Sequence, residues 1–460
     1  MKQKKTEQHK AVDLNSLDQI NLDAAGLDLG VEEIYACVPE GRSPNSVRHF
    51  GTYTADLQAL ARWLGECSVT TVAMESTGVY WIPVYDVLTT AGFEVYLVNA
   101  RHIKNVPGKK TDVLDCQWIQ QLHTYGLLHA SFHPDDDIRA LRALVRHRDS
   151  LVRGRATHIQ HMQKALEQMN LKLVNVVRDV TGVTGMMIIR AILQGERDPH
   201  VLAGYRQPGC AKSEREIAHA LDGHYRDEHL FALRQAVELY DVYTQKILAC
   251  DEEIAAKYTT FEPEIDIEEH PLPPSRQRQR PGKDNTPHFD LRAELYKMTG
   301  VDLTQIDGVN VLTAQVILSE VGMDMSKWPT AKHFASWLAL CPNNKITGGK
   351  IKKRGRRKTK SHVAQALRMA AQSLNRSQSA LGAFYRRMRA KHGAEIANVA
   401  AAHKLARIIY FMLKNKTAYR DIGVEQYDAQ YCERRVQSLQ RQAKRLGFRL
   451  EPVPAASMVS

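Results

Sequence analysis

The chain has 460 residues, enough for two or three domains that each bury a core. Its formal charge of +12 is uneven: residues 261–460 carry 34 Lys and Arg against 18 Asp and Glu, and between Met325 and Arg420 the only acid among 22 basic residues is Glu395. Solvated surfaces normally mix signs, so this half is built to meet a polyanion. The seven cysteines form no CxxC pair and no zinc spacing, and the polar start MKQKKTEQHK is no signal peptide, which excludes a disulfide scaffold and predicts a cytoplasmic protein.

Residues 1–20 read as a polar, disordered tail. From 21 to 134 strand-like and helix-like runs alternate, with strands predicted at 24–38, 46–53, 69–75 and 93–99 and helices at 55–66, 79–90 and 112–125. That is an α/β pattern with a mixed sheet. HIKNVPGKK, residues 102–110, is a basic, Pro/Gly-broken loop whose Lys104, Lys109 and Lys110 are candidates for phosphate contact.

Beyond Pro134, three aspartates (Asp135, Asp136 and Asp137) favour a helix start through the dipole. Ile138, Leu141, Val145, Arg148, Val152, Arg155, Ile159, Met162, Leu166 and Met169 then follow at steps of three and four, a heptad seam interrupted by two arginines. A second seam runs Leu230, Leu233, Val237, Tyr240, Thr244, Ile247, Asp251, Ile254. Two such stripes over 135–260 predict a coiled-coil hairpin or an oligomer contact, and Arg139, Arg142 and Arg146 beside the first are candidates for nucleic-acid binding. Residues 261–290, containing PLPPSRQRQRPGKDNT, read as an exposed basic linker. No stretch approaches a membrane-spanning length on this reading.

Within residues 291–460, the segment 303–322, LTQIDGVNVLTAQVILSEVG, has the form of a helix-hairpin-helix with Gly308 in its turn. An apolar helix to Leu340 stops at Pro342, and a turn with Thr347, Gly348 and Gly349 leads into a run of cations: Lys350, Lys352, Lys353, Arg354, Arg356, Arg357, Lys358 and Lys360. Such a run neutralises backbone phosphates. Thr347 taken alone is an ordinary turn residue, but a hydroxyl beside two glycines and a cationic cradle is also placed to attack a phosphodiester.

Four carboxylates carry the chemistry. Asp28 lies inside the apolar run AAGLDLG, Glu75 ends TTVAMESTG, and Asp112 and Asp115 share KKTDVLDCQW at a spacing that puts both on one side of a helix. Singly, each reads as a turn or cap acid. Together they are the hard oxygen donors that Mg²⁺ takes, and Mg²⁺ serves phosphodiester chemistry.

GLDLG, VAMESTGVYW, NARHIKNVPGKKTDVLDCQW, IDGVNVLTAQVILSEVG and CPNNKITGGK together give the chain, over 20–450, a resemblance to DEDD-type insertion-sequence transposases of the Piv/MooV kind, the bridge-RNA-guided recombinases. The resemblance implies a RuvC/RNase H-like domain with Asp28, Glu75, Asp112 and Asp115 as metal ligands, and a helical C-terminal transposase domain with a hydroxyl nucleophile from KITGGK. Where the family pattern has serine, this chain has Thr347. It implies further a covalent protein–DNA intermediate, double-stranded donor and target DNA, a structured guide RNA, a homo-oligomer, and a place on the nucleoid. A metal-dependent junction nuclease and a non-catalytic nucleic-acid-binding relative are the competing readings.

Overall fold

Ala24, Ala25, Gly26 and Leu27 are all buried in succession, the mark of a strand covered on both faces. This strand, β1 (Ala24–Leu29), is the middle of a five-stranded sheet. The computed structural model describes residues 17–76, 78–99, 112–275, 285–348, 350–353, 355, 357 and 359–451, and divides into two compact units, Met1–His133 and Pro134–Ser460.

In the first unit the run expected as one strand over 24–38 is a hairpin. Gly30 leaves the sheet, its N–H donating to Glu33 O at 2.9 Å, and β2 (Glu33–Cys37) returns antiparallel to β1. The reversal falls at Gly30–Glu33, an exposed turn with two glutamates that the expectation of one strand ran through. β3 (Val47–Gly51) extends the sheet beyond β2, and helix α1 (Thr54–Glu66) follows. β4 (Thr71–Glu75) lies parallel to β1, α2 (Trp81–Thr90) crosses over, and β5 (Glu94–Val98) lies parallel to β4. The order is β3-β2-β1-β4-β5. Leu57, Leu60 and Leu64 of α1 and Val84 and Leu88 of α2 close one core with Leu27, Leu29 and Ile34. The opposite face takes α3 (Asp112–Thr124), through Ile119 and Leu122 against Ala73 and Val98. The expected tail is partly tied down: Ile20 and Asn21 donate to Thr124 O at 2.8 and 2.9 Å, while residues 1–16 lie outside the described residues.

The second unit is helical. α4 (Asp136–Gln168) is followed by a cap of short helices, α5 (Leu173–Val176), α6 (Val183–Leu193), α7 (Pro199–Ala203) and α8 (Glu214–Ala220), and then by α9 (Asp227–Thr259). α4 and α9 run antiparallel: Asp137 pairs with Lys257 at 2.7 Å, and Arg155 donates to Thr244 at 3.4 Å. The two heptad seams therefore bury each other within one chain, the hairpin alternative and not the oligomer contact. Their polar interruptions match. Buried Arg148 pairs with buried Asp251, one of its bonds spanning 3.3 Å, and Arg155 lies over the Tyr240 ring.

The stretch expected as an exposed linker is mostly exposed where it is described, but several of its backbone carbonyls bond to this unit. Arg292 donates to Pro273 O at 2.6 Å, Gln305 to Pro274 O at 3.0 Å, and Arg148 to Asn285 O at 2.9 Å. Buried donors elsewhere in the unit need acceptors, and the Pro-rich backbone supplies them; residues 276–284 lie outside the described residues. The remaining elements are α10 (Leu291–Thr299), α11 (Val311–Val321), α12 (Ala331–Trp337), the hairpin of β6 (Lys345–Thr347) and β7 (Lys350–Lys353), α13 (His362–Ser373), α14 (Ala380–His392), α15 (Ala394–Asn415) and α16 (Gly423–Arg445). Contrary to the sequence reading, α15 is long and apolar enough to cross a membrane by length and composition. Its stripe Ala397, Ala401, Leu405, Ile409 and Leu413 is buried, and it packs against α12, α13 and α14.

Candidate active site and nucleic-acid surfaces

Backbone register brings the four acids to one face of the first sheet. Leu27 of β1 stands opposite Met74 of β4, so the next residues, Asp28 and Glu75, lie side by side at the carboxyl ends of parallel strands. Gly26 shares a face with Asp28, and its partner Ala73 shares that face with Glu75. That face belongs to α3: a methyl group on Gly26 would come within 2.3 Å of Gln120 N and 2.5 Å of Cys116 O. Only glycine lets the helix backbone lie this close. Asp112 and Asp115 then occupy the first turn of the same helix.

Electrostatics agree with this placement. The Cys116 thiol is pushed up by its hydrogen bond with Cys37, by burial, and further by the charge of Asp28. Tyr35, opposite Asp28 in the β1–β2 ladder, is raised first by its hydrogen bond to Glu33 and to a smaller extent by Asp112. Asp28, Glu75 and Asp115 are half-buried and Asp112 is exposed. Among the described residues, no three His, Cys, Asp or Glu groups converge tightly enough to hold a metal ion. The scaffold thus presents hard oxygen donors of the type a small divalent cation takes, on one face, with the carboxylates not drawn together.

Sequence reasoning passed over His123, in the last turn of α3. It is 1% exposed, its Nε2 lies 2.9 Å from Thr71 Oγ1, its Nδ1 has no hydrogen-bond partner, and burial lowers its pKa to about 4. It stays neutral and ties the helix to β4; a lone His in an amphipathic run gave no signal of this.

In the second unit, Thr347 ends β6 and pairs with Lys350 across a two-residue turn. Gly348 has φ +58, the left-handed conformation that tight hairpin turns require. Thr347 is exposed at this tip, and the hairpin is closed at its base by Asn343 N–H donating to Gly355 O at 2.8 Å. Lys352 and Lys360 are exposed, whereas Arg357 donates to Ser336 O and Trp337 O at 3.3 and 3.0 Å, capping the end of α12. Lys350 and Lys353 belong to β7; Gly349, Arg354, Arg356 and Lys358 lie outside the described residues, as do Lys104, Lys109 and Lys110.

The arginines flanking the first seam have intramolecular partners. Arg146 makes a bidentate pair with Glu320 at 2.7 Å, and Arg142 donates to Glu320 O at 2.5 Å and Ser319 O at 3.4 Å at the end of α11. Arg139 pairs with exposed Asp136 at 3.1 Å. Gly308, φ +85, is needed for packing, since a methyl there would meet Ala370 O at 2.6 Å. A cationic cluster on α14–α16 escaped the sequence reading. Lys404 lies over the rings of Phe384 and Tyr427 at 4.7 and 5.0 Å, and burial, then Arg434, Arg387 and Arg407, hold its pKa below the usual lysine range.

Two family models match separate stretches of the chain, the first of them running on into α4. The family model for DEDD transposases of the IS110 group, described as a transposase, matches residues 25–171, the sheet, α3 and all four acids. A second, described as the transposase IS116/IS110/IS902 family, matches residues 302–386, which hold Gly308, Thr347 and the cationic run. Together they take in just over half of the chain. The chain belongs to the IS110 family of transposases. Among curated relatives, this transposase is 22% identical over 406 residues to the transposase for insertion sequence element IS1328 of Yersinia enterocolitica, covering 87% of this chain and 99% of that protein. It is also 27% identical over 123 residues to a probable family 20 transposase of Pseudomonas aeruginosa, covering 26% of this chain but only 36% of that protein. The mixed sheet with α3 is the RuvC-like DEDD domain of the transposase, and the second unit carries its helical C-terminal region.

Proposed function

We propose that this transposase cuts and rejoins DNA through a covalent intermediate on Thr347, with Asp28, Glu75, Asp112 and Asp115 holding Mg²⁺. The observation that carries the reading is the gathering of all four acids on the α3 face of the sheet, at the ends of β1 and β4 and the first turn of α3. The divalent cation, when bound, supplies charge stabilisation for the phosphate and its leaving oxygen. Thr347 Oγ1 forms the new bond to phosphorus while a phosphorus–oxygen bond of the DNA strand breaks; the hydroxyl proton leaves, and the departing DNA oxygen gains one. One phosphoester replaces another, so rejoining needs no external energy. The cations of the second unit, with Lys352 and Lys360 exposed beside the hairpin, hold nucleic-acid backbone. By resemblance to the bridge-RNA-guided recombinases, the partners are double-stranded donor and target DNA and an element-encoded structured RNA. The transposase then works as a homo-oligomer on the nucleoid.

Covalent trapping tests this. Protein with Mg²⁺, its co-purified RNA and labelled element-junction DNA is run on a denaturing gel beside Thr347→Ala, Thr347→Ser and Asp112→Ala. A protein–DNA adduct that disappears in Thr347→Ala and Asp112→Ala is the expected result. Free nicked DNA made equally by Thr347→Ala would transfer the case to a metal-dependent nuclease. Binding without cleavage under any divalent metal would make the chain a nucleic-acid-binding relative.

A further inference from the structure

Two buried thiols lie beside the acids and have no part in the chemistry above. Cys37 ends β2, and Cys116 follows Asp115 directly and stands one helical turn beyond Asp112. Register brings them together. Cys37 is the ladder partner of Gly26, and residues opposite each other in a ladder project from the same face. That face is the one on which the α3 backbone lies, with Cys116 O 2.5 Å from where a methyl on Gly26 would be. Cys37 therefore points at the helix beside Cys116. Each also reaches a nearby carbonyl, Cys37 to Val38 O at 3.6 Å and Cys116 to Val113 O at 3.1 Å. They are 4% and 0% exposed, so neither is placed to meet a cysteine of another molecule.

Two thiols that face each other, one on a strand and one on the helix lying over it, are placed for a bond of about 2.05 Å. We propose that Cys37 and Cys116 form a redox modification site whose co-reactant is a peroxide. One thiol is oxidised to a sulfenic acid as the peroxide O–O bond breaks and water leaves. The second thiol attacks that sulfur, the S–S bond forms, and the sulfenic oxygen departs as a second water. Two electrons pass from the thiol pair to one peroxide, and a small thiol returns the pair to its reduced form. The bond draws the second turn of α3 towards β2 and shifts Asp112 and Asp115 relative to Asp28 and Glu75. The reduced protein is then the form whose acids are correctly spaced, a consequence that rests on the proposed function, whereas the bond itself does not.

The test uses the full chain with exposed Cys432 changed to serine, so that copies do not cross-link. After treatment with hydrogen peroxide and alkylation, a non-reducing digest is read by mass spectrometry. The expected product is a joined peptide pair containing Cys37 and Cys116, two hydrogens lighter than the separate peptides and lost on adding dithiothreitol. Strand cleavage should fall at least tenfold on oxidation, recover with dithiothreitol, and be unaffected by peroxide in Cys37→Ala. Absence of the joined pair would overturn the site. A joined pair with unchanged cleavage would overturn its coupling to the acids. Should the untreated protein cleave nothing, the proposed function fails while the peptide measurement still decides the thiol pair without any variant at either cysteine.

Discussion

Asp28 and Glu75 project from adjacent parallel strands whose far side is sealed by α1 and α2, with α3 pressed onto the near side at Gly26. Thr347 projects from a two-stranded hairpin, exposed, and a methyl on its neighbour Gly348 would meet nothing within 4 Å. The acids are thus held by a packed core and the hydroxyl by a local turn. A three-element sandwich places the strand acids and the α3 acids on one face through packing alone. A two-stranded hairpin is marginal by itself in water, so this one relies on links to the rest of the unit such as Arg357 at the end of α12. Mutations should therefore act through spacing in the first region and through the turn in the second.

Four experiments sharpen or break this contrast. Asp28→Asn keeps the volume of a half-buried side chain and removes its charge; cleavage should fall by roughly a hundred- to a thousand-fold with the thermal midpoint little changed. A parallel collapse of stability would show that Asp28 is a structural acid. Gly26→Ala drives a methyl into Gln120 N and Cys116 O. Urea denaturation should show a loss of about 1–3 kcal/mol, and cleavage should drop with it because α3 carries two of the acids. If stability is unaffected, α3 is not pressed on the sheet as described.

Gly348→Ala should cost roughly 1–2 kcal/mol locally, since φ +58 is the left-handed region. Adduct yield should fall while the global unfolding midpoint stays put; a fall in the midpoint would mean that the hairpin is part of the core. The smallest effect concerns pH. Folding lowers the pKa of His123 to about 4, so the unfolded chain binds the extra proton first. Its contribution is fully present above the ordinary histidine pKa of about 6.5 and is lost as pH falls through 6.5 towards 4. Urea midpoints between pH 7 and 4.5 should decline, and His123→Gln should flatten part of that slope. An unchanged slope would remove His123 from the account.

Much of the first region was legible because its signals are local. AAGLDLG read as a buried strand with an acid inside it, TTVAMESTG as one with an acid at its end, and KKTDVLDCQW as a helix start, from composition and spacing alone. The reversal at Gly30 was not, although the exposed Gly30–Glu33 turn with its two glutamates marks it, because the apolar arms on either side read as one run. In the second unit the sequence predicted two seams and left open whether they paired with each other or with another copy; the structure pairs them. It predicted a linker where backbone carbonyls of Pro273 and Pro274 serve as acceptors for Arg292 and Gln305.

By itself, then, the sequence determined where acids and bases cluster along the chain and which stripes had to be buried, since charge and apolar periodicity are properties of neighbouring residues. Tertiary structure decided what those groups face. Arg142 and Arg146, as basic in sequence as Lys352, turn inward to Glu320, and Arg148 is neutralised by Asp251, 103 residues away. Gly26 reads as a gap in a strand until α3 lies across it. A charge is written in the chain, but its partner is fixed only by how distant segments pack, because desolvation makes every buried charge find one.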